Sequence, residues 1–314
     1  LKVGDIWIGS SSDWNSNNNW CTNVKPDVLT DVIIPTTPIG HFMPNISSST
    51  AADCRNIEIQ PGATITIESD ATNSGSLIIN GTSSGTGTIT YNRYLETNKW
   101  YILSSPLFNS NNQSAFNTSN IDSDGSTYNI ADLLEATNTW NYRTSPEFPS
   151  ISGKGYLTKL SASDGNTVSF TGTPNPTLTN VAVQSTGTYL GWNAVGNPFT
   201  SALKISDETS GFLKTNSSNL EDNYAAIYLW SANASNYITI SRTGYTPKYG
   251  FTDAGDALVQ AGQGFLINVK KPQSWEASYP NGTVNRNITF NGGTAGMQVH
   301  STGTTIKRTE SSWL

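Results

Sequence analysis

Hydrophobic and polar residues alternate in short runs through the first third of the chain. Four such runs follow Cys54, over residues 56–59, 62–67, 75–79 and 85–90, and small turns separate them. Because side chains of a strand point to its two faces in turn, the runs predict short half-buried strands. The inward-facing side chains would be Ile57, Ile59, Ile65, Ile67, Leu77 and Ile79. We interpret residues 1–93 as a short β-solenoid, with a small sandwich as the alternative.

A set of landmarks then occurs twice in the same order. Each copy has a Trp-led apolar strand that ends in proline, a second tryptophan, a Gly-x-Gly bracket before an aromatic residue, and a Phe-x-Gly. The landmarks begin at Trp100, Trp140, Gly153 and Phe170 in the first copy, and at Trp192, Trp230, Gly262 and Phe290 in the second. The duplication predicts two antiparallel β-sandwich units, residues 94–187 and 188–300, so the whole fold is expected to be all-β. Residues 301–314 would begin a further segment or form a tail.

Two segments depart from the strand pattern. Residues 129–136 carry Ile130, Leu133 and Leu134 at helical spacing, which predicts a helix of about two turns. Residues 206–223 are mostly polar and lengthen the second copy, so we expect a long loop there.

Composition excludes some classes of function. Only 13% of the 314 residues are charged, against about 25% in typical proteins. The net charge is −6 and basic residues are scattered, which argues against nucleic-acid binding. No apolar run reaches the roughly 20 residues of a membrane span. Aromatic residues make up 10% of the chain, including nine Trp, so we expect folded cores and an extracellular all-β protein.

Several motifs resemble the N-terminal region of large surface proteins that the type IX secretion system of the Bacteroidota exports. They are Trp14 with Trp20-Cys21, residues 31–35, Cys54, residues 62–67, residues 100–106, residues 196–199 and residues 261–266. The resemblance implies a cell-surface location and contact with the export machinery through a C-terminal sorting domain, which this sequence lacks. Because the chain starts at Leu1 without a leader and stops on Trp313-Leu314, we expect it to be a processed piece of a longer protein.

The two cysteines, Cys21 and Cys54, lie in the N-terminal segment. In an exported protein they predict one disulfide, and two free thiols are the alternative.

A calcium site is the best candidate for a bound ion. Asn120, Asp122 and Asp124 alternate and precede Gly125, and such spacing lets a tight loop wrap Ca²⁺. The distant acid of the full pattern would fall at Ala131, so the adjacent Asp132 would have to supply it. A polar turn held by side-chain hydrogen bonds is the alternative.

Aromatic side chains suggest sugar binding, because their faces stack on the C–H faces of pyranose rings. Trp14 and Trp20 stand among polar residues and are expected to be partly exposed. The other candidates are Trp140, Tyr142, Tyr245 and Tyr249, whereas Trp100, Trp192 and Trp230 flank apolar residues and are expected in cores.

Catalytic motifs are scarce. Residues 81–85 fit the G-x-S-x-G pattern around Ser83, but the expected neighbours are strands, and the chain has only His41 and His300. A glycosidase needs only two facing carboxylates, so that chemistry stays open. We therefore interpret the chain as a non-catalytic adhesin or carbohydrate-binding segment. The alternatives are a structural spacer or filament subunit, and a polysaccharide-degrading enzyme or its ancillary region.

Overall fold

The fold is all-β, as predicted. A computed structural model describes residues 4–108, 121–145, 151–161, 166–175, 179–186, 191–232, 235–241, 258–276, 278 and 282–300. Within these ranges, helical structure is limited to short pieces, namely the 3-10 turns Asn17–Asn19 and Asp222–Tyr224 and the single-turn helix α1 (Phe212–Thr215).

The N-terminal part is solenoid-like, built from rungs whose strands stack in parallel. The rungs follow an edge strand, β1 (Asp5–Ile6). Their strands are β2 (Val32–Ile34), β3 (Asn45–Ile46), β4 (Ala51–Cys54), β5 (Ile57–Ile59), β6 (Thr64–Glu68), β7 (Ser76–Ile79), β8 (Ser83–Ser84) and β9 (Thr88–Tyr94). Parallel pairing gives the runs β1-β2-β5-β8, β3-β6-β9 and β4-β7. The six side chains expected to face inward are all buried, which confirms the alternation.

Three tryptophans close the N-terminal end of the solenoid. Trp7, Trp14 and Trp20 are fully buried, and their ring centroids lie 4.9–6.3 Å apart. The expectation that Trp14 and Trp20 are partly exposed is therefore wrong. The neighbouring Asp13 faces solvent and Asn19 is buried, while the indoles turn inward and extend the solenoid core.

The two predicted repeats each contain a four-stranded sheet of the same topology. The first contains β10 (Trp100–Leu103), β11 (Leu107–Phe108), β12 (Tyr128–Leu134), β13 (Thr139–Arg143), β14 (Tyr156–Lys159) and β15 (Thr167–Pro174). The second contains β16 (Thr179–Thr186), β17 (Trp192–Gly196), β18 (Ala202–Lys204), β19 (Ala226–Ser231), β20 (Asn236–Ser241), β21 (Leu258–Val259), β22 (Gly264–Asn268), β23 (Thr283–Phe290) and β24 (Gln298–Val299). Strand β16 precedes the predicted boundary after residue 187, but it pairs with β23 of the second repeat. Their four-stranded sheets have matching orders, β10-β14-β12-β13 and β17-β22-β19-β20.

The strand before each Trp-led strand pairs with the strand that carries the closing Phe. These antiparallel pairs are β9–β15 and β16–β23. The repeats differ after the proline, because β11 adds to β15 whereas β18 pairs with β21 and β24. The second tryptophans also differ in position, since Trp140 lies in β13 and Trp230 in β19.

Strand β9 belongs to both the solenoid and the first repeat. One edge pairs in parallel with β6, and the other pairs antiparallel with β15. The expected boundary after residue 93 falls inside this strand, and a single hydrophobic core runs through both parts.

The structure contradicts the predicted helix, and it places a buried aromatic side chain within the predicted polar loop. The expected helix over residues 129–136 is mainly the central strand β12, where Ile130 and Ala131 are buried on opposite faces. A central strand is apolar on both sides, and this imitated helical spacing. In the expected polar loop, Phe212 is buried in α1, with its ring centroid 5.2 Å from those of Phe265 and Phe290.

We find no helix in the described ranges with the length and apolar character needed to cross a membrane.

Candidate functional site

The two repeats hold each other through reciprocal contacts. Leu103 at the end of β10 forms a β-bridge with Gln263 of the second repeat, and Val195 near the end of β17 forms one with Lys154 of the first. Leu103 and Val195 occupy matching positions in the two copies, as do Lys154 and Gln263. The bridges are therefore related by an approximate two-fold relation between the repeats.

The hydrogen bonds next to these bridges follow the same relation. The Ser104 amide donates to the Gly262 carbonyl at 3.2 Å, and the matching Gly196 amide donates to the Gly153 carbonyl at 2.9 Å. Gly153 and Gly262 have φ of +78° and +77°, a region that favours glycine. The first glycine of each bracket thus makes a turn that presents its carbonyl to the other repeat.

The second glycine of each bracket allows the backbones to approach closely. A Cβ at Gly155 would lie 2.8 Å from the Val195 carbonyl oxygen, and one at Gly264 would lie 2.6 Å from Cγ2 of Ile102. The repeated Gly-x-Gly motif is therefore explained by the contact between repeats.

A small hydrophobic core forms where the four-stranded sheets meet. Its buried members are Ile102, Ala194, Ala226, Tyr228 and Leu266. Five aromatic side chains pack around it and stay partly exposed: Trp140, Trp192, Tyr224, Trp230 and Tyr237. Trp192 and Trp230 were expected inside cores, but they lie at the edge of this one because the sheets cover only its centre.

Matching corners of the two sheets carry different chemistry. The first corner consists of Trp100, Tyr142, Lys159 and Asp122. Trp100 lies directly across the β10–β14 pair from Lys159, whose ammonium is 5.9 Å from the indole centroid. Lys159 Nζ also lies 3.0 Å from a carboxylate oxygen of Asp122, so this corner is filled by its own ion pair.

The second corner consists of Trp192, Tyr224, Tyr228, Asn268 and Glu221. Trp192 lies directly across the β17–β22 pair from Asn268, and its ring centroid is 4.9 Å from that of Tyr228 and 5.7 Å from that of Tyr224. The Glu221 amide donates to the Asn268 carbonyl at 3.0 Å.

The backbone contacts of the two corners are equivalent. In the first corner the Asp122 amide donates to the Lys159 carbonyl at 3.2 Å, which matches the bond from Glu221 to Asn268. Asn268 thus stands where the first repeat has Lys159, and Glu221 stands where it has Asp122.

The polar side chains of Asn268 and Glu221 are not bonded to each other. The Asn268 side chain is 1% exposed, and neither its Nδ2 nor its Oδ1 has a hydrogen-bond partner in the described part of the chain. Glu221 is partly exposed, and its carboxylate makes no hydrogen bond or ion pair with a described residue. A buried polar group left unbonded costs about 1–3 kcal/mol, so Asn268 destabilises the fold where it stands.

Sequence reasoning missed Asn268 and Glu221. A usable signal was present, because aligning the Gly-x-Gly brackets of the two copies places Asn268 on Lys159. This alignment shows that the second repeat has a neutral amide where the first repeat has a cation.

The structure separates the predicted glycan-binding residues. Trp14 and Trp20 are fully buried and offer no face to a sugar, and the Trp20 indole donates to the Trp14 carbonyl at 2.9 Å. Trp140 packs at the edge of the core between the repeats, and Tyr142 is 40% exposed in the first corner. Tyr245 and Tyr249 lie outside the described residues.

Two of the predicted calcium ligands, Asp122 and Asp132, form ion pairs with basic side chains of this protein. Asp122 contacts Lys159, and the buried Asp132 lies 2.5 Å from Arg143 and 3.0 Å from Lys154.

Asp124 accepts hydrogen bonds from the amides of Thr127 and Ser126, and these bonds lower the pKa of its carboxyl group. Asn120 lies outside the described residues, and the described ones contain no cluster of three or more His, Cys, Asp or Glu. Calcium binding stays a prediction, which a titration would test.

The predicted disulfide is absent, because Cys21 and Cys54 are both free thiols. Cys54 is buried in the solenoid core, and burial raises its pKa. Cys21 is exposed and donates to Asp5 at 3.0 Å, and its pKa is also raised, mainly by partial burial and then by this bond. The two side chains thus point into different surroundings.

A Ser-His-Asp group joins the second repeat to the solenoid. His300 Nδ1 lies 2.8 Å from Ser76 Oγ, and its Nε2 lies 3.0 Å from Asp53. The backbone amides of Ser76 and Leu77 are bonded to Thr50 and Thr200. These contacts tie the end of the second repeat to strands β4 and β7 of the solenoid.

Comparison with known proteins gives one match. No curated protein and no solved structure is similar to the chain at a significant level. A family described as a domain of unknown function, DUF8693, matches residues 6–293. That match spans the solenoid, the first repeat and nearly all of the second, so the chain belongs to the DUF8693 family.

Proposed function

We propose that this protein is a non-catalytic, glycan-binding segment of a larger exported surface protein. The observation that carries the proposal is the partly exposed aromatic edge around the core between the repeats. Aromatic faces in reach of solvent stack on sugar rings, and neighbouring amides and hydroxyls bond to sugar hydroxyl groups.

Composition supports the same function. Few charges, many amide and hydroxyl side chains and an acidic net charge suit a neutral, hydrated ligand better than a phosphate backbone. The motifs that resemble type IX surface proteins support an exported, cell-surface location.

A glycan array probed with the intact chain tests the proposal. We expect retention on one class of glycan, and loss of that retention when the protein is heat-denatured beforehand. A silent array across plant, animal and microbial glycans would contradict it. Incubating any glycan that binds and assaying for new reducing ends would test the enzyme alternative separately.

A structural spacer is the second candidate, and continuity of the fold favours it. Strand β9 joins the solenoid to the first repeat, and reciprocal bridges join the repeats. The second repeat also contacts the solenoid, because the Leu77 amide of the solenoid donates to the Thr200 carbonyl of the second repeat at 3.0 Å. A silent array together with filaments in electron micrographs would favour the spacer.

A further inference from the structure

We propose that the second corner is the sugar subsite and that it takes a neutral pyranose with adjacent hydroxyl groups. This inference rests on the glycan-binding function proposed above. It assigns the ligand contact to Trp192, Tyr224, Asn268 and Glu221, and it excludes the matching corner of the first repeat.

The first step is the comparison of the two corners. The approximate two-fold relation gives both the same backbone and a tryptophan at the same place. In the first corner, Lys159 lies over Trp100 and pairs with Asp122. That ion pair places a cation over the indole face and engages one Asp122 oxygen, which makes this corner less open to a neutral sugar than the second one.

The second step is the unmet hydrogen bonding of Asn268. Its amide has two donor hydrogens and an acceptor oxygen, and none of them is bonded to a described residue although the side chain is 1% exposed. It lies across the strand pair from the partly exposed Trp192. Both polar atoms of the amide are shielded from solvent, so a hydroxyl group that enters beside the indole would meet a donor and an acceptor once the side chains that cover them shift.

The third step concerns charge. Glu221 is partly exposed with an uncommitted carboxylate among the described residues, and a carboxylate accepts hydrogen bonds from adjacent hydroxyl groups. It would repel a uronic or sialic acid, and no lysine or arginine replaces Lys159 at the matching position. The chemistry therefore selects a neutral sugar.

Three variants in the second corner test the assignment. Asn268→Leu removes the amide at similar volume, Trp192→Ala removes the stacking face, and Glu221→Gln removes the charge. Affinity for the glycan retained on the array would be measured by titration calorimetry. We expect Asn268→Leu and Trp192→Ala to weaken it by about tenfold or more.

The melting temperature separates a binding role from a structural one. Since the amide is buried without a partner, Asn268→Leu should melt at the same temperature as the unchanged protein or higher. Lower stability with unchanged affinity would overturn the inference. For Glu221→Gln we expect acidic sugars to bind better relative to neutral ones, and an unchanged ratio would count against Glu221.

Trp100→Ala is the matched control, because it makes the same truncation at the equivalent corner. We expect its affinity to stay within about twofold of the unchanged protein. If Trp100→Ala abolishes binding and Trp192→Ala does not, the corner is wrongly assigned although the glycan function stands. If the intact protein binds no glycan, both proposals fail.

Discussion

The amide of Gly155 in the first repeat donates a 3.0 Å hydrogen bond to the carbonyl oxygen of Ala194 in the second. This bond crosses between repeats at the point where a Cβ on Gly155 would collide with the Val195 backbone. We expect Gly155→Ala to lower the free energy of unfolding by about 1–3 kcal/mol, because backbone rather than a flexible side chain must move. Urea denaturation measures the loss.

Hydrogen exchange shows where that loss arises. We expect faster exchange in β14 and β17, which the bond joins. Ser126→Ala in an exposed turn is the control, with a change within about 0.5 kcal/mol. Equal stability of Gly155→Ala and the unchanged protein would show that the repeats do not depend on this contact.

Truncating the tryptophan cluster should unfold the N-terminal cap. We expect Trp14→Ala to cost about 3–5 kcal/mol, since it leaves a cavity between two buried indoles. Trp275→Ala is the matched control, because that side chain is 80% exposed and should contribute little. Thermal melting monitored by circular dichroism compares them, and equal melting temperatures would contradict the buried cluster.

Thiol labelling should distinguish the two cysteines. We expect the native protein to react with one equivalent of a thiol reagent, at the exposed Cys21, and the denatured protein with two. Burial shields Cys54 and raises its pKa, so its reactive thiolate is scarce. Zero equivalents without reductant and two after reduction would instead reveal a disulfide.

Stability should fall in acid. The Asp31 pKa is lowered by its bonds to Arg55 and Asn56, and the Asp207 pKa by bonds from the amides of Ser210 and Thr209. A lowered pKa means that the folded state favours the charged carboxylate. This contribution is complete above the unfolded value near pH 4 and is lost as the pH falls through the folded value.

Melting temperatures between pH 6 and pH 2.5 measure the effect. Asp31→Asn removes one of these carboxylates and should flatten the decline. A melting temperature that rises as the pH falls below about 4 would contradict the prediction.

Local patterns in the sequence predicted the solenoid well. Alternation identifies inward side chains such as Ile65 and Ile67 without knowledge of their partners, because successive side chains of a strand point to opposite faces. The duplicated landmarks predicted two related sheets for the same reason.

Features that depend on distant neighbours were not predictable in this way. Trp14 is buried because other indoles meet it, and β12 is a strand because β13 and β14 flank it. The candidate site depends on strand pairing that brings Asn268 and Tyr224 to Trp192 from distant parts of the second repeat, and a local pattern does not contain that information.

Because β9 belongs to both the solenoid and the first repeat, it limits where the chain can be cut into separately folding fragments. A fragment that ends before Thr88 would leave β6 without its neighbour, and one that starts after Tyr94 would leave β15 with an open edge. Unpaired edges of this kind recruit strands from other molecules, so either piece should aggregate on expression. Recombinant work on the sandwiches therefore has to carry the solenoid along as their folding partner.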